Sequence, residues 1–131
     1  MGAHLKAEGL RPDLVLCSSA RRTRETCERL GLGNVETSVE DALYGASVDG
    51  LLTRLHDVPE GAETVLLVGH NPAMQDLAIA LAGPDLGEQA VRLREKFPTG
   101  ALAVFEVHGD WSDFAPGRAR LAAFVVPREI E

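Results

Sequence analysis

The feature that most narrows what this chain can become is the run Glu63-Thr64-Val65-Leu66-Leu67-Val68-Gly69-His70-Asn71-Pro72. Its aliphatic and β-branched residues predict a buried strand over 64–69, because a short apolar run without alternation belongs to a strand covered on both faces. Asn71 has the chemistry of a helix N-cap, and Pro72 suits a first helical turn, where its missing N–H costs nothing. Met74, Leu77, Ala78 and Leu81 then recur at helical spacing and predict a helix over 72–83. His70 therefore falls at the carboxyl end of a buried strand, beside a helix start. Open α/β sheets bind ligands at that edge, and a helix N-terminus favours anions. A titratable imidazole placed there is a candidate for phosphoryl chemistry.

A second junction repeats the layout. Leu14 to Cys17 predicts a strand over 13–17, which runs into Ser18 and Ser19. A helix over 20–30 follows, with Thr23, Cys27 and Leu30 on its inner face. Serines cap helices, and the unpaired N–H groups of a first turn can bind phosphate oxygens. Arg21, Arg22 and Arg24 stand at the wrong end of the helix dipole, which prefers acids there, and such local conflicts mark functional sites. Arginine fits because its planar fork grips a phosphate at two points. Arg21 and Arg24 read most simply as solvated surface charges, whereas Arg22 gains weight from its partner motif. The two junctions together predict a phosphate-binding cleft made by Ser18, Arg22, His70 and Asn71, with Ser19 N–H as a further donor.

The remaining elements read as helix 2–9, a short strand near 35–37, helix 48–56, a helix or turn around 89–95, and strands 101–107 and 120–126 around a Gly-, Asp- and Pro-containing turn. Strands alternating with helices, closed by a hairpin, predict a three-layer α/β/α sandwich with a mostly parallel sheet and a C-terminal antiparallel hairpin. The 131 residues make one domain. No apolar run approaches the roughly 20 residues of a membrane span, and the N-terminus lacks a signal-peptide layout, so the expected address is cytoplasmic, with no membrane partner. A net charge of −7 argues against nucleic acid as a partner, which needs a basic face. Cys17 and Cys27 are expected to remain thiols, and neither has metal-ligand spacing around it, so no metal and no cofactor are expected.

The pattern Ser18-x-x-x-Arg22-Thr23-x-x-Thr26, with Val65-x-x-Val68-Gly69-His70-Asn71-Pro72 downstream, resembles the histidine phosphatase superfamily, the phosphoglycerate mutase-like fold. Within it the SixA-type phosphohistidine phosphatases are the nearest in pattern. Phe97-Pro98-Thr99-Gly100-Ala101-Leu102-Ala103-Val104 and the stretch from Trp111 to Pro127 are similar to that branch as well. The resemblance implies hydrolysis of phosphohistidine or of small phosphomonoesters through a phosphohistidine intermediate. It makes Arg22 the phosphate-gripping arginine and His70 the second, non-nucleophilic histidine, with Ser18 the small polar residue near that arginine. Its partners would be a phosphorylated protein or a small phosphorylated substrate. A general-acid carboxylate would fall near Glu40 or Asp41, although solvated loop charges are the simpler reading of both.

The family's nucleophile lies in an Arg-His pair at the end of a central first strand. No Arg-His pair occurs in this sequence, and His4, His56 and His108 do not match that position. The expectation is thus a single histidine phosphatase-like domain over 1–131 that lacks the first strand, with Met1 internal to a longer reading frame. The alternative is a non-catalytic pseudo-phosphatase that binds phosphate or phosphoprotein. Nothing in the sequence addresses oligomeric state.

Overall fold

The structure, a computed structural model, describes residues 1–129. Five strands and five helices follow one another as α1 (Gly2–Ala7), β1 (Leu14–Ser18), α2 (Arg21–Leu30), β2 (Glu36–Glu40), α3 (Val48–His56), β3 (Val65–Val68), α4 (Ala73–Ala82), α5 (Glu88–Glu95), β4 (Leu102–Val107) and β5 (Ala119–Val125). Short 3-10 turns at Asp41–Leu43, Trp111–Asp113, Pro116–Arg118 and Pro127–Glu129 punctuate the connections.

β1 is the centre of a three-stranded parallel sheet ordered β2-β1-β3. Every residue of it is buried, as a parallel strand with helices on both faces must be. Its side chains alternate between two helical layers. Leu14 and Leu16 join Leu51 and Leu55 of α3 and Leu77 and Leu81 of α4 in the larger core. Cys17 points the other way and meets Cys27 of α2. The alignment of β1 on β3 is set below the first residue of each strand, where the Asp13 carboxylate accepts the backbone N–H of both Glu63 and Thr64 at 2.9 Å. β2 is longer than its sequence suggested because Ser38, Val39 and Glu40 continue it. It is an edge strand that is largely exposed, so apolar periodicity does not mark it.

β4 and β5 pair antiparallel and form a separate two-stranded sheet, with a bulge beside Val104 and Phe105. The hairpin thus does not continue the parallel sheet by hydrogen bonds, although Phe105 and Val107 pack against the same core as Val65 and Leu67. α4 joins the two halves. Leu77 and Leu81 face the parallel sheet, while Ala78 and Ala82 face Leu93 of α5 and Leu121 and Phe124 of β5. The hairpin loop is docked in turn. The indole N–H of Trp111 donates to Ala62 O at 2.7 Å, and the Glu60 carboxylate accepts the backbone N–H of Trp111 and Ser112.

Leu16 is wholly buried between the layers. Leu16→Ala is expected to cost about 2–5 kcal/mol, read as a shift of the urea midpoint with little change in the slope of the transition.

Candidate active site

Pairing of Cys17 with Val68 brings the two junctions together, since the residues one step further along β1 and β3 are Ser18 and Gly69. The turns leading to α2 and α4 therefore leave the same edge of the sheet side by side. Ser18, 1% exposed, is the last residue of β1, and its hydroxyl accepts Ala20 N–H at 3.3 Å, which shapes the turn into α2. Ser19 N–H, expected to be a free donor, is spent on Glu40 O at 3.2 Å, because β2 runs alongside to that point. The first-turn N–H groups of α2 lie outside the helix's own ladder, as at any helix start.

Arg22 sits in that first turn with its side chain exposed and, among the described residues, without an ion-pair partner. Arg21 differs: it is bonded to Glu25 at 3.0 Å on a solvated helix face, where such a pair contributes little. Thr23 turns inward, and its buried hydroxyl has no hydrogen-bond partner among the described residues. Cys27 lies 2.8 Å from Cys17 with both sulfurs as thiols. Burial, then the contact with Cys17, pushes the Cys27 thiol up to about 12, so it is protonated at neutral pH and a poor nucleophile.

His70 follows Gly69 and is exposed. A Cβ on Gly69 would stand 2.8 Å from Met74 Sδ, so glycine here lets the first turn of α4 close against the strand end. The Tyr44 ring meets the imidazole edge to face, with centroids 5.9 Å apart. α4 begins at Ala73, one residue later than the sequence indicated, with Pro72 in the cap position. Asn71, expected as the cap, stands one residue before it; its Oδ1 accepts Gln75 N–H at 3.2 Å, and its amide donates to Phe97 O at 2.6 Å. The Asn71 side chain is therefore committed to holding the His70 turn against the segment after α5. Gln75 strengthens the same connection by donating to Leu93 O and Arg94 O.

A cavity of about 300 Å³ opens beside His70, between the Leu43–Val48 segment and the start of α4, with Leu51 and Leu67 in its wall. Neither Ser18 nor Arg22 lines it. The sequence offered no signal for the contact of Tyr44 with His70. Glu40 is bound at both oxygens by Arg54, at 2.6 and 2.9 Å, and by the Ser38 hydroxyl at 2.7 Å. The Arg54 hydrogen bonds hold its carboxyl below the usual range, which unfits it to be a general acid. The other histidines stand apart from these strand tips: His4 in α1, His56 bonded to Phe114 O at 2.6 Å, and His108 beyond β4.

A parallel sheet flanked by helices, with an exposed arginine and an exposed histidine at adjacent strand ends, is an α/β architecture suited to oxyanions. No protein-family model matches the chain. It is 40% identical over 129 residues to the uncharacterised protein Rv1276c of Mycobacterium tuberculosis, an alignment covering 97% of this chain and 81% of that one. It superposes with a TM-score of 0.86 on a SixA from Nakamurella multipartitia assigned as a phosphohistidine phosphatase, at 32% identity, covering 96% of this chain and 77% of the other. A second SixA of the same assignment, from Agrobacterium tumefaciens, gives 0.77 at 32% identity, covering 96% and 75%. The chain belongs to the SixA-type branch of the histidine phosphatase superfamily.

Two outcomes follow from the geometry. Because the folded-state pKa of Glu40 is depressed, its pairing stabilises the fold above the unfolded carboxyl value near 4.5 and is lost as pH falls through the lower folded value. The stability gap between the native chain and Glu40→Gln, measured by denaturation across pH, is expected to be largest near neutrality and to close in the acid range. Asn71→Ala should cost about 1–2 kcal/mol through its two lost side-chain hydrogen bonds. Asn71→Asp, which keeps the oxygen that accepts Gln75 N–H, should cost less in the same urea titrations.

Proposed function

We propose that the chain forms the phosphate-binding part of a phosphatase that hydrolyses phosphohistidine or small phosphomonoesters through a phosphohistidine intermediate in its full-length form. The observation that carries this reading is the β1–β3 register, which places the Arg22 turn and the His70 turn at neighbouring strand ends. Phosphoryl transfer has a loose transition state with charge on the equatorial oxygens, so catalysis is mostly positioning and charge stabilisation. Arg22 would hold two of those oxygens through its guanidinium, and His70 would donate to the third. The buried turn at Ser18 keeps the first-turn N–H groups of α2 aimed at the same edge. The Asn71 tether fixes the backbone from which His70 projects.

The nucleophile in this reading comes from outside residues 1–131, on a further strand. Two features favour that. β3 and β4 each have one side free of strand pairing among the described residues, and Val65, Leu66, Leu67, Leu102, Ala103 and Val104 are only half-buried there. An unpaired apolar edge is otherwise a liability. The partner is a phosphorylated protein or small phosphorylated molecule, and the setting is the cytoplasm; among the described residues no helix is long and apolar enough to cross a membrane. The lack of an Arg-His pair in this sequence equally favours a second reading, a pseudo-phosphatase that binds phosphate without turnover.

The coding sequence upstream of Met1 separates the two, since an in-frame strand ending in Arg-His is required by the first and excluded by the second. In the chain that carries such a strand, Arg22→Ala and His70→Ala should each reduce turnover of an aryl phosphate and of a phosphoramidate by on the order of 100-fold. Full activity in either variant overturns the site.

A further inference from the structure

β2 is held unlike the other strands of its sheet. It lies at an edge, and Glu36, Thr37 and Val39 are exposed. Its two half-buried residues, Ser38 and Glu40, share a face and are polar, so they give the strand no apolar grip on the core. They bond to each other instead, and Glu40 is gripped by Arg54 of α3 at both carboxylate oxygens, at 2.6 and 2.9 Å. The Arg54 and Glu40 side chains are only 25% and 20% exposed. A largely buried ion pair is weak evidence for stability, because apolar residues of similar size often hold a fold as well or better. What the bidentate pair adds is direction: it fixes the tip of the strand in one place.

That tip supports the turn in front of Arg22. Pairing of β1 with β2 ends at Ser18 and Glu40, and the next bond along joins Ser19 N–H to Glu40 O at 3.2 Å. α2 starts just beyond, with Ala20 in the cap position and, among the described residues, no side-chain cap. The Ser18 hydroxyl, accepting Ala20 N–H at 3.3 Å, is the other support of this turn. Arg24 N–H then donates to Ala20 O at 3.0 Å, and Arg22 lies inside the helical turn so closed. Arg54, in the layer that covers Leu14 and Leu16, is thus joined through Glu40 and Ser19 to the start of α2 in the opposite layer.

We infer that Arg54 is a positioning residue for Arg22: by clamping Glu40 it fixes the last hydrogen bond between β1 and β2, and with it the turn from which the Arg22 guanidinium meets an anion. The inference rests on the phosphatase reading of the strand tips. Arg54 touches no substrate in this role. Without the clamp the tip of β2 frays, because an exposed edge strand has few other contacts to hold it. The Arg22 turn then loses one of its two supports, while the body of α2 stays packed on β1 through Cys27 and Cys17. An anion meets a less ordered guanidinium and binds more weakly, although every group that touches it is still present.

Calorimetric titration of the full chain with inorganic phosphate, joined to amide hydrogen exchange at Ser19, tests this without requiring turnover. Arg54→Met should weaken phosphate roughly three- to tenfold and quicken exchange at Ser19. Arg54→Lys, which keeps a charged contact with Glu40, should do less of both. In the Arg22→Ala chain, adding Arg54→Met should weaken phosphate little further, because the residue through which Arg54 acts is gone. Trp111→Phe serves as a control: it loses the bond to Ala62 O at the opposite end of the sheet, and should lower the urea midpoint without changing phosphate affinity. Unchanged phosphate affinity or unchanged Ser19 exchange in Arg54→Met overturns the inference. So does an equal loss of affinity with and without Arg22, or the same loss in Trp111→Phe. Should Arg54→Met fail to fold, Arg54→Lys and Glu40→Gln carry the same comparisons, decided by the same outcomes. Failure of phosphate to bind the native chain, or binding unaffected by Arg22→Ala, overturns the phosphatase reading instead and the inference with it.

Discussion

Parallel strands cannot be clamped by a tight turn, so the alignment of β1 on β3 must be set by other contacts, and here the carboxylate of Asp13 supplies them by accepting two backbone N–H groups from the start of the neighbouring strand. The consequence appears at the far end. A one-residue slip would turn every side chain of a strand to the opposite face, exchanging the neighbours of Leu14 and Leu16 for those of Cys17. It would also move Ser18 away from Gly69, and the two turns would no longer leave the sheet together. The chemistry at one edge is thus governed by a polar contact at the other, about the length of a short strand away.

The candidate site places charge and apolar surface within a few residues of each other. The chain is acidic as a whole, yet Arg22 at a helix start has no acidic partner among the described residues, while Arg21 beside it does. A local positive group within an acidic background concentrates anion binding at one point and discourages it elsewhere. Glu40, the acid at the end of β2, is saturated by Arg54 and Ser38. His70 lies where this polar edge meets the cavity walled by Leu51 and Leu67, and its backbone is held from two directions, by Met74 closing over Gly69 and by Asn71 reaching Phe97 O.

α4 has an unusual load for ten residues. It covers the parallel sheet with one stripe and packs on α5 and the hairpin with another, so it is apolar around much of its circumference. Through it the two sheets share one continuous interior without sharing a hydrogen-bonded ladder. The same helix starts at the His70 turn, which ties the position of that turn to packing on both halves of the molecule.

The sequence by itself determined the order and type of the elements, the burial of β1 and the two strand-to-helix junctions, because those depend on local signals: apolar runs, helical spacing, caps, and glycine or proline at turns. The helix expected near 48–56 forms there, and the structure adds that Ser47 caps it. The full length of β2 was not, because an exposed edge strand carries no burial pattern to read. Among the candidate site residues, Arg22 stood out as a conflict with the helix dipole and His70 by its place at a strand end, whereas the fate of Ser19 N–H, the double role of Asn71 and the contact of Tyr44 with His70 did not stand out. Each of these joins residues about 20 or more positions apart, and only the packing of the chain selects such partners. The placing of β1 between β2 and β3 was likewise a tertiary decision. Strand propensity says which segments extend, but the choice of neighbour depends on how the helical layers fit between them.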